Sequence, residues 1–268
     1  MVDATILRRI AAKTGLGVNY VSKDEKISIL LEKLRDLIPD IVLKGGTAVN
    51  RVYLSKLGVS RFSEDIDIDF VANFSLDKKI KYLKDKIRGI EGFNIPNARL
   101  LHRTLRFDCY YINELGQKDR IMLEFYLTTT KWRKINEVLV KSPFIETHPV
   151  IFKVYSLEDL IARKLIALHN RLEGKDMYDL FYLLDFKVNR EGLFEILHDL
   201  LAFFKINEKD FKKKLLLQLE KAIGQAIYIR DSTNHFIPRT LRPDWNIFLA
   251  TLKSKIEKLL AKLILKII

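Results

Sequence analysis

The sequence predicts an α+β protein in which a part that mixes strands with helices is followed by a part that is helical throughout. In the first part, short apolar or alternating runs predict strands; Ile66–Val71 shows the period of two that a β-strand requires. After Ser156, apolar residues recur at spacings of three and four, which is typical of amphipathic helices. This change of pattern places a domain boundary near Phe152–Tyr155 and predicts domains 1–153 and 154–268.

The first part contains four predicted helices and four predicted strands. Its helices are predicted at Ile6–Ala12, from an N-cap at Asp24 to Leu37, at Ala48–Lys56 and at Leu76–Arg88. Its strands are predicted at Ile41–Leu43, Ile66–Val71, Leu100–Ile112 and Arg120–Leu127.

The second part begins with a helix cap, because Ser156 is followed three residues later by Asp159. Its helices are predicted at Leu157–Asn170, Lys175–Leu184, Leu193–Phe204, Asp210–Tyr228 and Trp245–Ile268. No long linker rich in Pro, Gly or Ser separates the two parts, so we expect the domains to pack against each other.

The balance of charge favours a polyanionic partner. The 268 residues carry a formal net charge of +13, and nearly half of them are apolar, as in a folded protein. Basic proteins bind nucleic acids strongly because each neutralised phosphate releases condensed counterions. A lysine-rich composition that only improves solubility is the alternative, and charge alone favours nucleic acid modestly over it.

The single cysteine, Cys109, excludes an internal disulfide and a zinc site built from cysteines. It lies in an apolar run, so we expect a buried thiol in a reducing compartment. The first twenty residues lack the apolar core of a secretory signal, and no run of about 18 apolar residues could span a bilayer. A cytoplasmic protein that does not insert into a membrane is the expectation.

Three aspartates predict a metal site at the predicted strand Ile66–Val71. Asp65, Asp67 and Asp69 project to one face of the strand, and Ile66 and Ile68 to the other. Aspartate is rare in strands, and like charges crowded on one face repel each other unless a cation lies among them. Magnesium prefers such hard oxygen ligands, so we favour a metal over a solvated strand face.

A glycine turn between a strand and a helix precedes these aspartates. Gly45 and Gly46 would let the backbone approach a phosphate, Thr47 could add a hydroxyl, and the helix N-terminus presents unpaired N–H groups. Paired glycines alone indicate only a turn. The order of strand, glycine turn, helix and aspartate strand indicates transfer of a nucleotidyl or phosphoryl group, which depends on positioned phosphates and metal ions.

These motifs resemble those of a known family. Gly45-Gly46-Thr47-Ala48 followed by Arg61-x-Ser63-x-Asp65-Ile66-Asp67 is similar to the DNA-polymerase-beta-like nucleotidyltransferase superfamily. More narrowly, the chain resembles the nucleotidyltransferase toxins of the AbiEii/AbiGii type, which are usually paired with a separate antitoxin. Their helical signature is matched by Leu157–Arg171 and Lys175–Leu180, so the resemblance covers about residues 41–185.

The resemblance implies a nucleotidyltransferase fold with a mixed sheet, and roles for particular residues. Gly45, Gly46 and Thr47, with Arg61 and Ser63, would bind the triphosphate. Asp65 and Asp67 would ligate Mg²⁺ or Mn²⁺. Lys164 and Arg171 would neutralise phosphates, and Asp176 would be a further catalytic acid.

Local patterns agree with part of these roles. Lys164 and Arg171 are seven residues apart, which would place them on one helical face. Asp176 lies at the start of the next helix, where the helix dipole stabilises acids whether or not they act in catalysis.

A third carboxylate is expected, with three candidates. We favour Glu124 as catalytic and metal-binding, because a lone acid inside an apolar strand is costly unless it is paired or metal-bound. Asp108 is the second candidate, although Arg106 or Arg103 could instead form a structural ion pair with it. Asp69 is the other alternative.

Two basic segments could contact nucleic acid. Lys131-Trp132-Arg133-Lys134 joins cations to an aromatic ring, a pattern that can hold single strands by stacking, although a solvated loop is equally expected. A lysine-rich helix face could follow RNA or be merely solvated; its members are Lys78, Lys79, Lys81, Lys84 and Lys86.

We therefore expect a magnesium-dependent nucleotidyltransferase. It would move a nucleoside monophosphate from a triphosphate such as ATP, CTP or GTP to RNA, with tRNA as the favoured acceptor. It would act as the toxin of a toxin–antitoxin or phage-defence pair. A cognate antitoxin is the expected protein partner. The alternatives are phosphotransfer by a kinase at the same site, and a nucleotide- or RNA-binding protein whose catalytic centre has decayed.

Overall fold

The structure is a computed structural model that describes residues 2–128 and 134–261. The described chain divides into two compact units. The first unit comprises residues 2–128, 135–155 and 238–240, and the second comprises residues 134, 156–237 and 241–261.

The helices of the first unit differ from the prediction mainly where they begin. They are α1 (Ala4–Thr14), α2 (Val18–Leu37), α3 (Gly45–Ala48), α4 (Ser55–Leu57) and α5 (Leu76–Ile87). A π-helical segment, Val49–Leu54, joins α3 to α4, so the chain is helical without interruption from Gly45. The helix therefore starts at the glycine turn itself, not at Ala48 as predicted.

Seven strands of the described residues form one mixed sheet, which confirms the predicted fold class. They are β1 (Ile41–Lys44), β2 (Asp65–Phe70), β3 (Ala98–Leu101), β4 (Thr104–Ile112), β5 (Lys118–Tyr126), β6 (Ile135–Val140) and β7 (Val150–Tyr155). Their order is β3-β4-β5-β2-β1-β7-β6. The β2–β5 and β1–β7 pairs are parallel, and the remaining neighbours are antiparallel.

Two strand predictions need correction. The single strand predicted at Leu100–Ile112 is two strands, because His102, at φ 60°, forms a tight turn between β3 and β4. Strands β6 and β7 were not predicted. Their alternation is weak, since Leu139 and Ile151, which are cross-strand partners, are both exposed apolar residues.

The second unit is helical. Its helices are α6 (Leu157–Asn170), α7 (Gly174–Leu183), α8 (Arg190–Phe204), α9 (Glu208–Gly224), α10 (Ala226–Thr233) and α11 (Trp245–Ala261). The Ser156 cap is confirmed, because its hydroxyl accepts a hydrogen bond from the Asp159 N–H. The helix predicted over Asp210–Tyr228 is two helices, broken at Gln225.

Two predicted features extend beyond the described residues. Lys131, Trp132 and Arg133 of the basic aromatic segment lie outside them, as does the predicted continuation of the last helix from Lys262 to Ile268. Among the described helices, none combines the length and the apolar character needed to cross a membrane.

The alternation along β2 separates the two faces of the sheet, as predicted. Ile66, Ile68 and Phe70 are fully buried on one face, and Asp65 and Asp67 project to the opposite face. Cys109 of β4 is also buried, as predicted, and burial raises the pKa of its thiol to about 12.

Helix α5 packs on the apolar face of β2. The ring of Tyr82 stacks on that of Phe70 with 5.7 Å between centroids. The ammonium of Lys79 is buried and donates hydrogen bonds to the carbonyls of Phe70 and Leu127, so Lys79 does not belong to the predicted basic helix face. The remaining lysines of α5 therefore lie on the side of the sheet opposite Asp65 and Asp67.

Asp24 does not cap a helix. It lies within α2, buried, where its carboxylate accepts a hydrogen bond from Arg51 Nη2 at 2.6 Å and one from the Ser142 hydroxyl. A buried ion pair of this kind ties α2 to the helical segment after the glycine turn.

Replacing Asp24 with Asn should strongly destabilise the protein. The change leaves the buried guanidinium of Arg51 uncompensated, so we expect the free energy of unfolding to fall by about 3–5 kcal/mol. Asp36→Asn, at the exposed end of the same helix, should change it by less than about 0.5 kcal/mol. Denaturant titration of both variants measures the difference, and equal midpoints would contradict the structural role of Asp24.

Candidate active site

The glycine turn at the end of β1 lies directly against the aspartate strand. Gly45 has a φ of 69°, and a Cβ atom added to it would lie 2.8 Å from Cγ and 2.9 Å from Cβ of Asp67. A Cβ added to Gly46 would lie 2.8 Å from Ser63 Oγ and 2.9 Å from Arg61 Nη2. Glycine is required at position 45, where φ is positive and a Cβ would overlap Asp67, whereas a side chain at position 46 would have to displace the ends of the Ser63 and Arg61 side chains.

Side chains from the helix after the turn brace this arrangement. The hydroxyl of Thr47 donates a hydrogen bond to the carbonyl of Asp65 and lies 3.2 Å from Ser63 Oγ. Asn50, which no sequence motif indicated, donates to the carbonyl of Gly46 at 2.9 Å and accepts from the N–H of Arg61 at 2.8 Å. Its position four residues after Gly46 is the only signal of this role in the sequence.

The structure thus brings together seven residues that the sequence analysis assigned to one site. They are Gly45, Gly46, Thr47, Arg61, Ser63, Asp65 and Asp67. Asp65 and Asp67 lie two residues apart on β2 and project to the same face of the sheet. Asp67 is the cross-strand partner of Lys44, the residue before the glycine turn.

Glu124 is the candidate third carboxylate that lies in register with Asp67. The two are directly paired across the parallel strands β2 and β5, so their side chains share a face. Glu124 Oε1 accepts two hydrogen bonds from the guanidinium of Arg106, one of them from Nε at 2.7 Å. This bond, with further contributions from the charges of Glu124, Asp108 and Asp65, raises the pKa of Arg106.

The other two candidates have different partners. Asp108 is bound by Arg99 Nη2 at 2.5 Å and Arg120 Nη1 at 3.3 Å, and not by Arg106 or Arg103 as the sequence suggested. The reason is register, because Asp108 lies one strand from each of these two arginines.

Asp69 is buried and accepts hydrogen bonds from Lys44 Nζ and from the hydroxyl of Tyr155, both at 2.5 Å. These bonds tie β2 to β1 and, across β1, to β7.

The acids give the part of this face around Tyr126 a negative character. Burial raises the pKa of the Tyr126 phenol, and the neighbouring charges of Asp67, Glu124 and Asp69 raise it further. The ammonium of Lys44 lies 3.3 Å from the centroid of the same ring. A cation would be attracted to this region.

The carboxylates of the candidate site suit a magnesium ion that substrate phosphates also hold. Within residues 2–128 and 134–261, no group of three or more acidic, histidine or cysteine side chains converges closely enough to hold a metal by itself. Magnesium at phosphate-transfer sites is commonly held by one or two carboxylates together with the phosphates of the substrate. Asp65 and Asp67 could supply the carboxylates, and the glycine turn beside them could receive the phosphates.

A second cluster of candidate residues lies in the helical unit. The side chain of Lys164 is 9% exposed, and its ammonium is bound by Asp176 Oδ1 at 2.8 Å and Asp179 Oδ2 at 2.6 Å. Asp176 Oδ2 also accepts a hydrogen bond from Arg171 Nε at 2.8 Å. Asp176 therefore bridges the two cations.

Arg171 lies just after α6, in extended backbone, and is not on the helix face that the spacing suggested. Its side chain is 62% exposed, and its Nε is held by Asp176. Burial by itself raises the pKa of Asp176, but the charges of Lys164 and Arg171 outweigh it and hold this pKa well below its usual range.

Gly45→Ala should cost more stability than Gly58→Ala. Both glycines have a φ of 69°, so both changes carry the same left-handed backbone penalty of about 1–2 kcal/mol. A Cβ at Gly58 meets nothing within 4 Å, whereas one at Gly45 overlaps Asp67, which should lower the free energy of unfolding by about 1–3 kcal/mol more. Denaturant titration of the two variants tests this; equal losses would show that the turn does not constrain Asp67.

Asp176→Asn should destabilise the protein in a pH-dependent way. Because the folded-state pKa of Asp176 lies below its unfolded value near 3.8, its stabilising effect is complete above that pH and declines as the pH falls further. The difference in unfolding free energy between wild type and variant should therefore be constant from pH 7 to 5 and shrink below pH 4. Asp231→Asn, at an exposed position, is the control. If the difference in unfolding free energy between wild type and Asp176→Asn did not shrink at low pH, the lowered folded-state pKa of Asp176 would be contradicted.

Comparison with known proteins agrees with the motifs. No curated protein sequence matches the chain. Among solved structures, MenT4, a nucleotidyltransferase toxin from Mycobacterium tuberculosis H37Rv, superposes with a TM-score of 0.63 at 17% identity, over 97% of this chain and 90% of that one. An antigenic nucleotidyltransferase-like protein from Paracoccidioides brasiliensis gives a TM-score of 0.40 at 17% identity, over 72% of this chain and 92% of that one.

The MenT4 superposition shows the fold of a nucleotidyltransferase toxin. The model of the family described as "Nucleotidyl transferase AbiEii toxin, Type IV TA system" matches residues 29–262, most of the chain. The resemblance drawn from the glycine and aspartate motifs is thereby confirmed: the chain belongs to the AbiEii family of nucleotidyltransferase toxins of type IV toxin–antitoxin systems.

Proposed function

We propose that the protein transfers a nucleoside monophosphate from a magnesium-bound nucleoside triphosphate to RNA, with the end of a tRNA as the favoured acceptor. The observation that carries this proposal is the packing of the glycine turn against Asp67, because a glycine backbone that phosphates could approach then lies next to two carboxylates. The net charge of +13 supports a polyanionic acceptor.

In the proposed reaction, a hydroxyl oxygen of the acceptor forms a bond to the α-phosphorus. The bond between that phosphorus and the oxygen bridging to the β-phosphate breaks, pyrophosphate leaves with the electron pair, and the hydroxyl proton passes to solvent. Asp65 and Asp67 would hold Mg²⁺ or Mn²⁺, and the bound metal would neutralise charge on the phosphate oxygens.

The chain itself positions the triphosphate. The backbone at Gly45 and Gly46 can approach phosphate oxygens closely, and the helical stretch that starts there directs its positive end toward them. Arg61 is buried, its guanidinium lies beside Gly46, and its Nη1 donates a hydrogen bond to the carbonyl of Phe62. Thr47, braced on β2, fixes the turn relative to the carboxylates.

Glu124 is proposed as the third carboxylate, on the basis of its register with Asp67. Its bond to Arg106 holds the side chain in one orientation, and bringing it to a metal would require exchange of that partner. For the second unit, we propose the roles implied by the family: Lys164 and Arg171 neutralise phosphates, and Asp176, whose carboxylate binds both cations, is the further catalytic acid.

A protein partner follows from the family. Type IV toxin–antitoxin systems pair the toxin with an antitoxin, so a cognate antitoxin is the proposed regulator of this enzyme.

Asp65→Asn and Asp67→Asn should each lower transfer by at least about 10²-fold, because they remove a charged ligand of the metal and leave the fold intact. The assay incubates the protein with total RNA, magnesium and each nucleoside triphosphate in turn, labelled at the α- or the γ-phosphate. Asp77→Asn, on α5, is the matched control and should retain activity. Label should enter RNA only from the α-phosphate; γ-label in the product, or undiminished transfer by both site variants, would refute the proposal.

A further inference from the structure

The polar face of strands β3, β4 and β5 is open to solvent beside the candidate site. Arg99, Lys118 and Arg120 are exposed, and Arg106 and Tyr110 are half-buried. We call these five residues the open face. Helix α5 packs on the opposite side of the sheet, so its lysines do not contribute to this surface.

The open face is continuous with the catalytic aspartates. Cross-strand pairing forms one row in which Arg99 is beside Arg106, Arg106 beside Glu124, and Glu124 beside Asp67. Neighbouring strands lie about 4.8 Å apart, so this row spans roughly 14 Å from Arg99 to Asp67. A strand of acceptor lying along the row would have its end at the carboxylates.

Cations exceed acids on this surface. Arg99 and Arg120 share the single carboxylate of Asp108, and their side chains are 55% and 47% exposed. Arg106 forms an ion pair with Glu124. The ammonium of Lys118 lies 4.9 Å from the centroid of the Tyr110 ring, and Lys118 forms no ion pair within the described residues. The surface therefore attracts an anion and offers an aromatic ring among its cations.

We propose that the open face binds a single-stranded segment of the acceptor RNA, with phosphates on Arg99, Lys118 and Arg120 and a base stacked on Tyr110. This inference rests on the proposed function and assigns its acceptor to a surface. Alternation of cations with an aromatic ring across a sheet suits unpaired nucleotides, whose bases stack while their phosphates pair with arginine and lysine. An acidic protein segment would use the cations but not the ring.

The first test measures binding of a fluorescent single-stranded RNA by anisotropy, without nucleotide, at several salt concentrations. The variant Lys118→Glu with Arg120→Glu reverses two charges on the open face. Lys213→Glu with Lys214→Glu makes the same change at exposed positions of α9. We expect RNA affinity to fall at least tenfold in the first variant only, with the slope of log K against log salt reduced by about 2. Equal affinities, or equal losses in both variants, would overturn the inference.

The second test separates stacking from charge. Tyr110→Ala should raise the KM for RNA several-fold and leave kcat and nucleotide KM nearly unchanged, whereas Tyr110→Trp, which retains an aromatic face, should restore binding. An unchanged KM for RNA in Tyr110→Ala would overturn the stacking role.

The two proposals fail in distinguishable ways. If wild type labels RNA but the open-face variants keep the wild-type KM for RNA, the transfer reaction stands and the binding surface is wrong. If wild type labels a protein and no RNA, the proposed acceptor fails and this inference fails with it.

Discussion

The close approach of the Gly45 backbone to the Asp67 carboxylate is the constraint on which the site depends. It requires a residue without a side chain in left-handed conformation, immediately after Lys44, the cross-strand partner of Asp67. The turn and the acidic strand are therefore one packed element. Thr47 and Asn50 bind this element from the helical side, so the spacing between the glycine backbone and the two carboxylates is built into the fold.

The polar face of the sheet is organised by pairing of charges. Acids that are buried or half-buried in a sheet need partners, since desolvation of an isolated carboxylate is costly. Asp69 is held by Lys44 and Tyr155, and Glu124 by Arg106. These pairs distinguish two acids of similar sequence context. Asp69 ties strands together, whereas Glu124 lies in register with Asp67.

In the helical unit, the buried charge is a cation, and carboxylates compensate it. Lys164 is buried, and two carboxylates compensate its ammonium. Asp176 also holds Arg171, whose guanidinium remains largely exposed. The family resemblance implied roles for Lys164, Arg171 and Asp176. These residues also have a physical reason to lie together that does not depend on the resemblance, because the acid and the two cations compensate one another's charge.

The sequence by itself determined the fold class, the acidic face of β2, the glycine turn and the Ser156 cap. Each of these depends on local periodicity or backbone conformation, which neighbouring residues encode. Tertiary structure alone decided that Asp24 pairs with Arg51, that Lys79 is buried and that Asn50 links the turn to Arg61. It also decided the partners of Asp108, because strand order and register bring together residues whose separation along the chain carries no local signal.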